Sequence, residues 1–399
     1  LIVTTESKKV KMPEAVFTEE MMAEMRRKIG TKLRIEHSIN NEEATRSAIR
    51  KFADGIGDPN PLWSDAEYAG KTRYRGIVAP PSWIFSVFSG LQFGWRGLGG
   101  FHNATEANFY LPILLNDKIW PECIYTGFDG PKPSEFAERI IIDKKENSYT
   151  NQRNELIAKT KWSSIRMERA KARKKGKYSG IKLPHPWTEQ ELKDIEEEVL
   201  SEEIRGANPR FWEDVKVGDE LKPVVKGPLG MTDEIAFLIG GGAPIPRLAA
   251  HGARLRQYQE HPAWFFRDPS THALEPIFSV HYNKEAAYAQ GGLPMQYDVG
   301  FQRHCWQIHL LTNWMGDDGW LKRSFAEYRK FVYYSDVVWV KGRVTQKYVD
   351  KDDEYCVDIK TSAVNQRGEE VMPGEATIAL PSREKRAFPL STRLPSMRS

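Results

Sequence analysis

Cysteine is scarce in this chain. Cys123, Cys305 and Cys356 are the only three in 399 residues. They are too few and too scattered for a disulfide framework or a paired-cysteine metal site, and a reducing, cytoplasmic setting is expected. Long apolar runs are also missing. No stretch offers the roughly 18 uninterrupted apolar residues of a spanning helix, and mean hydropathy is −0.56, so no membrane partner is expected. The opening residues LIVTTESKKVKMPEA lack the apolar centre of a secretory signal. No G-x-G-x-x-G opens a helix after a strand, and no G-x-x-x-x-G-K-[ST] occurs. His251, His261 and His272 match no compact metal-binding spacing. No redox cofactor and no metal are expected.

What is present is the balance of a globular protein, with 40% hydrophobic and 28% charged residues. The length suggests two or three domains at about 150 residues each. Aromatics reach 11%, with 12 Trp, so the core must house large rings. The net charge of +4 is concentrated in residues 166–177, RMERAKARKKGK. There Arg166, Arg169, Lys171, Arg173, Lys174, Lys175 and Lys177 face a single acid, Glu168. The rest of the chain is slightly acidic. The plain reading of this run is a solvated inter-domain linker; the sharper ones are a phosphate contact or RNA. No stacking aromatics interleave it, which argues against nucleic acid.

An internal repeat organises the sequence. Residues 39–61 can be laid on residues 231–244, placing Ile56-Gly57-Asp58 on Ile239-Gly240-Gly241. In the first copy Ala44, Ala48, Ile49, Phe52, Ala53 and Ile56 form one stripe at helical spacing. Trp63 to Ala69 falls on His281 to Ala287, and Asn151-Gln152-Arg153 falls on Asn365-Gln366-Arg367, where each Asn-Gln-Arg is placed as a hairpin turn would be. The second copy is the longer one, with an insert at roughly 245–279 that reads as an ordered functional segment or a lid.

Between the copies, Thr188 and Glu191 predict a capping box for a helix with Leu192, Ile195 and Val199 on its apolar face. Gly206 can end it. Thr18 to Gly30 reads as another capped helix. Val337–Val340, Tyr355–Ile359 and Ala376–Leu380 are strand-like. Helices followed by antiparallel strands, twice over, give an α+β pattern.

IGDPNPLWSDAEYAGKTRYRGIVAPPSW (56–83), FWEDVKVGDEL (211–221), VHYNKEAA (280–287), YDVGFQRHCW (297–306) and HLLTNWMGDDGWL (309–321) resemble the MaoC-like acyl-CoA hydratase/dehydratase family. The resemblance is to its tandem type, with a FAS1-like dehydratase N-terminal half, and it covers roughly 40–165 and 209–384. It implies a double hotdog fold, α+β, in which two antiparallel sheets each wrap around a central helix. Residues 82–90 would belong to the first central helix and Phe301–Trp314 to the second. The implied organisation is an N-terminal extension with a helix at 1–39, a first hotdog at 40–168, a linker at 169–208, a second hotdog at 209–384 with the insert at 245–279, and a tail at 385–399.

The resemblance further implies an Asp-x4-His pair and a glycine backbone N–H as oxyanion donor. The first copy has Asp58, with Asn60 beside it, but Trp63 at the histidine position. The second has His281 without the aspartate. The second half is therefore expected to be catalytic and the first degenerate, with Asp58 and Asn60 as a turn-forming remnant. His281 is the candidate general acid/base, Asp298 the substitute carboxylate and Gly300 the oxyanion donor at a helix N-terminus. Asp298 as a cap of the central helix is the competing reading. Asn283, Tyr297 and Arg303 are the candidate substrate contacts. Asn283 also reads as the cap of the short helix after His281, and Arg303 as an ion-pair partner.

The implied activity is reversible hydration of an enoyl-CoA, or dehydration of a 3-hydroxyacyl-CoA, with a bulky acyl group. The substrate arrives as a CoA or carrier-protein thioester, whose phosphates the basic run would suit. A hotdog thioesterase using Asp298 and a non-catalytic acyl-thioester-binding subunit are the alternatives. A homodimer beyond the tandem pairing stays open.

Overall fold

The computed structural model describes residues 10–90, 94–242, 248–384 and 389. The chain begins with α1 (Glu19–Arg27), capped by Thr18, whose side chain accepts from the Met21 N–H. α2 (Arg46–Ile56) is capped by Thr45 and closed by Gly57 in the left-handed conformation, which glycine adopts without a Cβ penalty. The short α3 (Ala66–Gly70) and α4 (Ile84–Val87) follow. Then come β1 (Gly99–Phe109), β2 (Ile119–Ser134), β3 (Glu138–Asn151) and β4 (Leu156–Met167).

The bridge holds α5 (Arg169–Lys175) and α6 (Glu189–Leu200), the latter with the expected Thr188–Glu191 capping box. α6 stops at Ser201 rather than Gly206. Glu202 leaves the helix there to meet His309 and Asn313.

The second half opens with β5 (Glu220–Lys226) and α7 (Met231–Gly241). The insert is structured within the described residues: α8 (His251–Glu260), then a hairpin of β6 (Phe265–Arg267) and β7 (Leu274–Pro276). α9 (Lys284–Gly291) and α10 (Gly300–Met315) precede β8 (Trp320–Glu327), β9 (Val338–Val349), β10 (Tyr355–Asn365) and β11 (Glu370–Ala379).

The two expected sheets join into one antiparallel sheet of order β2-β3-β4-β1-β8-β11-β10-β9-β5. The seam is β1 against β8, with Glu106 opposite Phe325. The repeat is visible in matching details. Gln152 and Arg153 bind Asp117 as Gln366 and Arg367 bind Asp336. Val78 bridges Leu114 as Tyr297 bridges Tyr333.

α2 and α7 cross at two glycines. A Cβ on Gly55 would lie 2.7 Å from the Ala236 carbonyl oxygen, and one on Gly240 would lie 2.2 Å from that of Lys51. This reciprocity corrects the repeat register. Gly55, not Gly57, corresponds to Gly240, and the counterpart of Asp58 falls in 243–247, outside the described residues.

The central helices differ. α10 is the expected long one, and its residues Phe301 to Met315 are all buried. The first half has only a 3-10 turn at Pro81–Trp83 and the single-turn α4, which ends at Phe88 in extended conformation. The helix expected over 82–90 is therefore one turn long. Residues 91–93 lie outside the described set.

Candidate active site

A cavity of about 310 Å3 opens between the halves, at the start of α10. Trp95 and Leu98, which follow α4 in the chain, line it together with the N-terminus of α10. The rings of Phe101, Trp162, Phe278, Tyr328 and Phe331 form its apolar walls, and Trp264 of the insert adds to them. The pseudo-equivalent space in the first half, lined by Asn60, Trp63 and Asp317, is only about 30 Å3. There the intact end of α10 contributes Thr312 and Met315.

His281 ends a 3-10 turn (Ile277–His281) and lines the large cavity. Its Nδ1 lies 2.9 Å from the Tyr297 carbonyl oxygen. A carbonyl only accepts, so Nδ1 carries the proton and Nε2 keeps its lone pair. Burial pushes His281 down to about 4, because desolvation penalises the imidazolium. The ring packs against Phe278 and, edge to face, Tyr297. It is a neutral, oriented imidazole with one basic nitrogen available.

Asp298 is fully buried in the same cavity wall. It does not cap α10; the capping position is Val299, which has no side-chain cap bond. Asp298 Oδ1 accepts from the Val332 N–H at 3.3 Å. Its Oδ2 lies 2.6 Å from Arg303 Nε, off the N–H direction, so the contact is an ion pair rather than an aligned hydrogen bond. Burial raises the Asp298 carboxyl and the Arg303 charge lowers it, with burial the larger effect.

Gly300 is the first residue of α10, and it lines the cavity together with Phe301. First-turn N–H groups lack intrahelical partners and point their partial positive charge outward. His102 of β1 closes this corner from the other half, with its Cβ 3.1 Å from where a Gly300 Cβ would be. His102 stacks on Trp162 and bonds Thr105 through Nε2.

The remaining candidates divide. Tyr297 is buried in the cavity wall and supplies the carbonyl for His281. Arg303 also lines the cavity, but its guanidinium is engaged by Asp298 and the carbonyls of Lys330 and Val371. Asn283 is outside the lining; it caps α9 by accepting from Ala286 N and donates to Asp268. Asn60 likewise accepts from Leu62 N to cap the Pro61–Trp63 turn, and Asp58 accepts from Asn60 N. Trp63 is buried.

The basic run is not a solvated linker throughout. Arg166 and Arg169 are buried, because Arg166 pairs with Asp143 and Arg169 bonds Gln290 and the carbonyls of Pro13 and Gly97. Both line the cavity, as does Lys177, exposed at its rim with Arg96 and Arg329. Sequence reasoning missed His102, Glu234, Glu202 and His309. His102 follows Phe101 in a strand-like run, but no local pattern marks it as facing the other half.

Among the described residues no group of three His, Cys, Asp or Glu converges as a metal set, and no helix is long and apolar enough to cross a membrane.

Comparisons with known proteins agree with this architecture. Residues 29–106 match the FAS1-like dehydratase domain region. Relatives in sequence include a UPF0336 protein of Streptomyces coelicolor, 42% identical over 85 residues, which are 19% of this chain and 57% of that protein. Another, from Streptomyces avermitilis, is 42% identical over 45 residues, 11% of this chain and 30% of its own length. The chain thus spans between about a third and somewhat over half of these two relatives. Among solved structures, a MaoC-like dehydratase superposes with a TM-score of 0.60 at 17% identity, covering 89% of this chain and 99% of its own. A MaoC domain protein from Chloroflexus aurantiacus gives 0.55 at 12% identity over 89% and 96%. A conserved hypothetical protein of Mycobacterium tuberculosis, described as a double hotdog fold, gives 0.51 at 10% identity over 88% and 96%. The chain has the double hotdog fold of these structures, and its residues 29–106 match the FAS1-like dehydratase domain region.

Proposed function

We propose that this protein is a hydro-lyase that adds water reversibly across the double bond of an enoyl thioester. The observation that carries the reading is His281: a neutral imidazole, oriented by the Tyr297 carbonyl, in the wall of a cavity that also holds the N-terminus of α10.

In the forward direction, His281 Nε2 takes one proton of water as the oxygen bonds to Cβ of the enoyl group. Negative charge moves to the thioester oxygen, where the Gly300 N–H meets it. The imidazolium then returns the proton to Cα, giving the 3-hydroxyacyl thioester. Asp298, paired with Arg303 at 2.6 Å, holds the same wall in place. The ring-lined space takes a bulky acyl group. Arg96, Lys177 and Arg329 at the rim suit the phosphates of a CoA or carrier thioester.

A thioesterase would need the Asp298 carboxylate to activate water. Both of its oxygens are occupied, by Arg303 and by the Val332 N–H, which disfavours that reading. The test is a panel of enoyl-CoAs, followed by loss of the conjugated-thioester absorbance. Turnover that falls about 10²- to 10⁴-fold in His281→Ala is expected. Tight binding without turnover of any member would instead favour the non-catalytic acyl-thioester binder.

A further inference from the structure

Glu234, on α7, is a carboxyl group that the chemistry above does not use. It is fully buried, and neither of its oxygens has a hydrogen-bond partner. Such a group is costly to keep in a fold unless something else requires it.

The duplication provides an internal control. Gly55 and Gly240 mark equivalent points on α2 and α7, and counting back from them puts Glu234 in the place of Ile49. Ala79 donates its N–H to Ile113 as Asp298 does to Val332, which puts Asp298 in the place of Ala79 and Arg303 in that of Ile84. Ile49, Ala79 and Ile84 are all buried. Packing at these positions is thus satisfied by three apolar residues in one half. The other half replaces them with two acids and a guanidinium, and its cavity is the one that holds His281.

The two carboxyls differ in their partners. Arg303 is committed to Asp298 at 2.6 Å. The charges that bear on Glu234, from Asp298 and from Asp233 on its own helix, are both negative. Tyr334, after β8, is the further titratable group coupled to it. The elements α2 and α4, packed against α7, present buried apolar residues including Phe52, Ala53 and Phe85. The N–H of Val299, at the start of α10, is the favourable polar group near Glu234.

We propose that Glu234 is a positioning residue that keeps its proton at neutral pH, so that Asp298 alone holds negative charge against Arg303 behind the His281 cavity. It acts through Asp298. While Glu234 is neutral, the guanidinium is committed to one carboxylate and the wall beside Gly300 stays in register. When Glu234 loses its proton at alkaline pH, a second negative charge without a counter-ion repels that of Asp298 behind the wall, and turnover declines. Only this kinetic consequence rests on the hydro-lyase reading.

The experiment uses the full chain, with Glu234→Gln and with Glu234→Ile, the residue that already packs the equivalent site. Infrared difference spectra at neutral pH should show the carbonyl stretch of a protonated carboxyl in the wild type that both variants lack. An identical spectrum in Glu234→Gln overturns the proposal. In turnover of an enoyl-CoA, Glu234→Gln should move the alkaline limb of the pH profile upward by about one unit or more. A purely structural role would lower the rate at every pH and leave the limb in place, and that result also overturns it. If neither wild type nor variants hydrate any enoyl-CoA, the lyase reading fails, while the infrared comparison still decides whether Glu234 holds a proton.

Discussion

Asp58 Oδ1 lies 3.5 Å from His309 Nε2, across the boundary between the two halves. The same nitrogen is 2.5 Å from Glu202 Oε1 of the bridge. The aspartate of the first-half motif has therefore not been paired with His281. It ties the first hotdog to α10 in a sealed position, next to the turn it forms with Asn60.

Asp58→Asn is expected to leave turnover unchanged and to lower stability by roughly 1–3 kcal/mol, since a buried carboxylate bonded to Asn60 N and close to His309 is weakened. Urea unfolding measures the second effect. A large loss of activity at unchanged stability would show that the first-half motif takes part in the chemistry.

Acid should destabilise the protein through its buried histidines. Burial takes His281 from an ordinary 6.5 to about 4 and His304 to about 3, and holds His102 well below its ordinary value. In this window the unfolded chain binds more protons than the folded one, so stability is full above about pH 6.5 and falls as pH drops toward 4. Urea midpoints across that range should fall with pH, and less steeply in His281→Asn. The depressed value also means that His281 adds no acid limb to the activity profile between about pH 6 and 8.

Gly300→Ala should reduce turnover. The new Cβ would stand 3.1 Å from His102 Cβ and 3.2 Å from its Nδ1, and the start of α10 would have to shift away from the reacting oxygen. Adding His102→Ala opens the space. A double variant slower than Gly300→Ala by the full effect of each change would contradict this crowding.

Charge at the cavity rim should act on the carrier rather than on the reaction. Lys177→Glu is expected to raise KM for a CoA thioester, to do so less at high salt, and to leave KM for a thioester without phosphates unaffected. Equal effects on both substrates would rule out a phosphate contact. Lys177 now pairs with Glu135 at 3.1 Å, an exposed pair that a phosphate can displace at little cost.

The legible parts of the site were those set by short-range rules. The Asn283 cap, the Thr188–Glu191 box and the long helix from Gly300 could be read locally because each depends on residues within one or two turns. The one-turn α4 could not. Its run from Pro81 to Gly90 is apolar enough for a central helix, and its early end depends on tertiary contacts. The Tyr149 hydroxyl, far away in β3, donates to the carbonyl of Phe88, where the chain has already turned extended. The basic run misled for a similar reason: its charges suggest solvent, yet Arg169 finds Gln290 and two carbonyls distant in sequence.

By itself the sequence determined that the chain is a duplicated α+β protein with a long central helix and an imidazole in the later copy. Periodicity, capping residues and motif order are written along the chain and need no knowledge of what lies opposite. Tertiary structure alone decided that Asp58 meets His309, that His281 is held by the Tyr297 carbonyl, that a cavity opens at the start of α10, and that Glu234 stands buried in the place of Ile49. Those are contacts between distant segments, and burial and protonation follow from the surroundings a residue is given, which its neighbours in sequence do not specify.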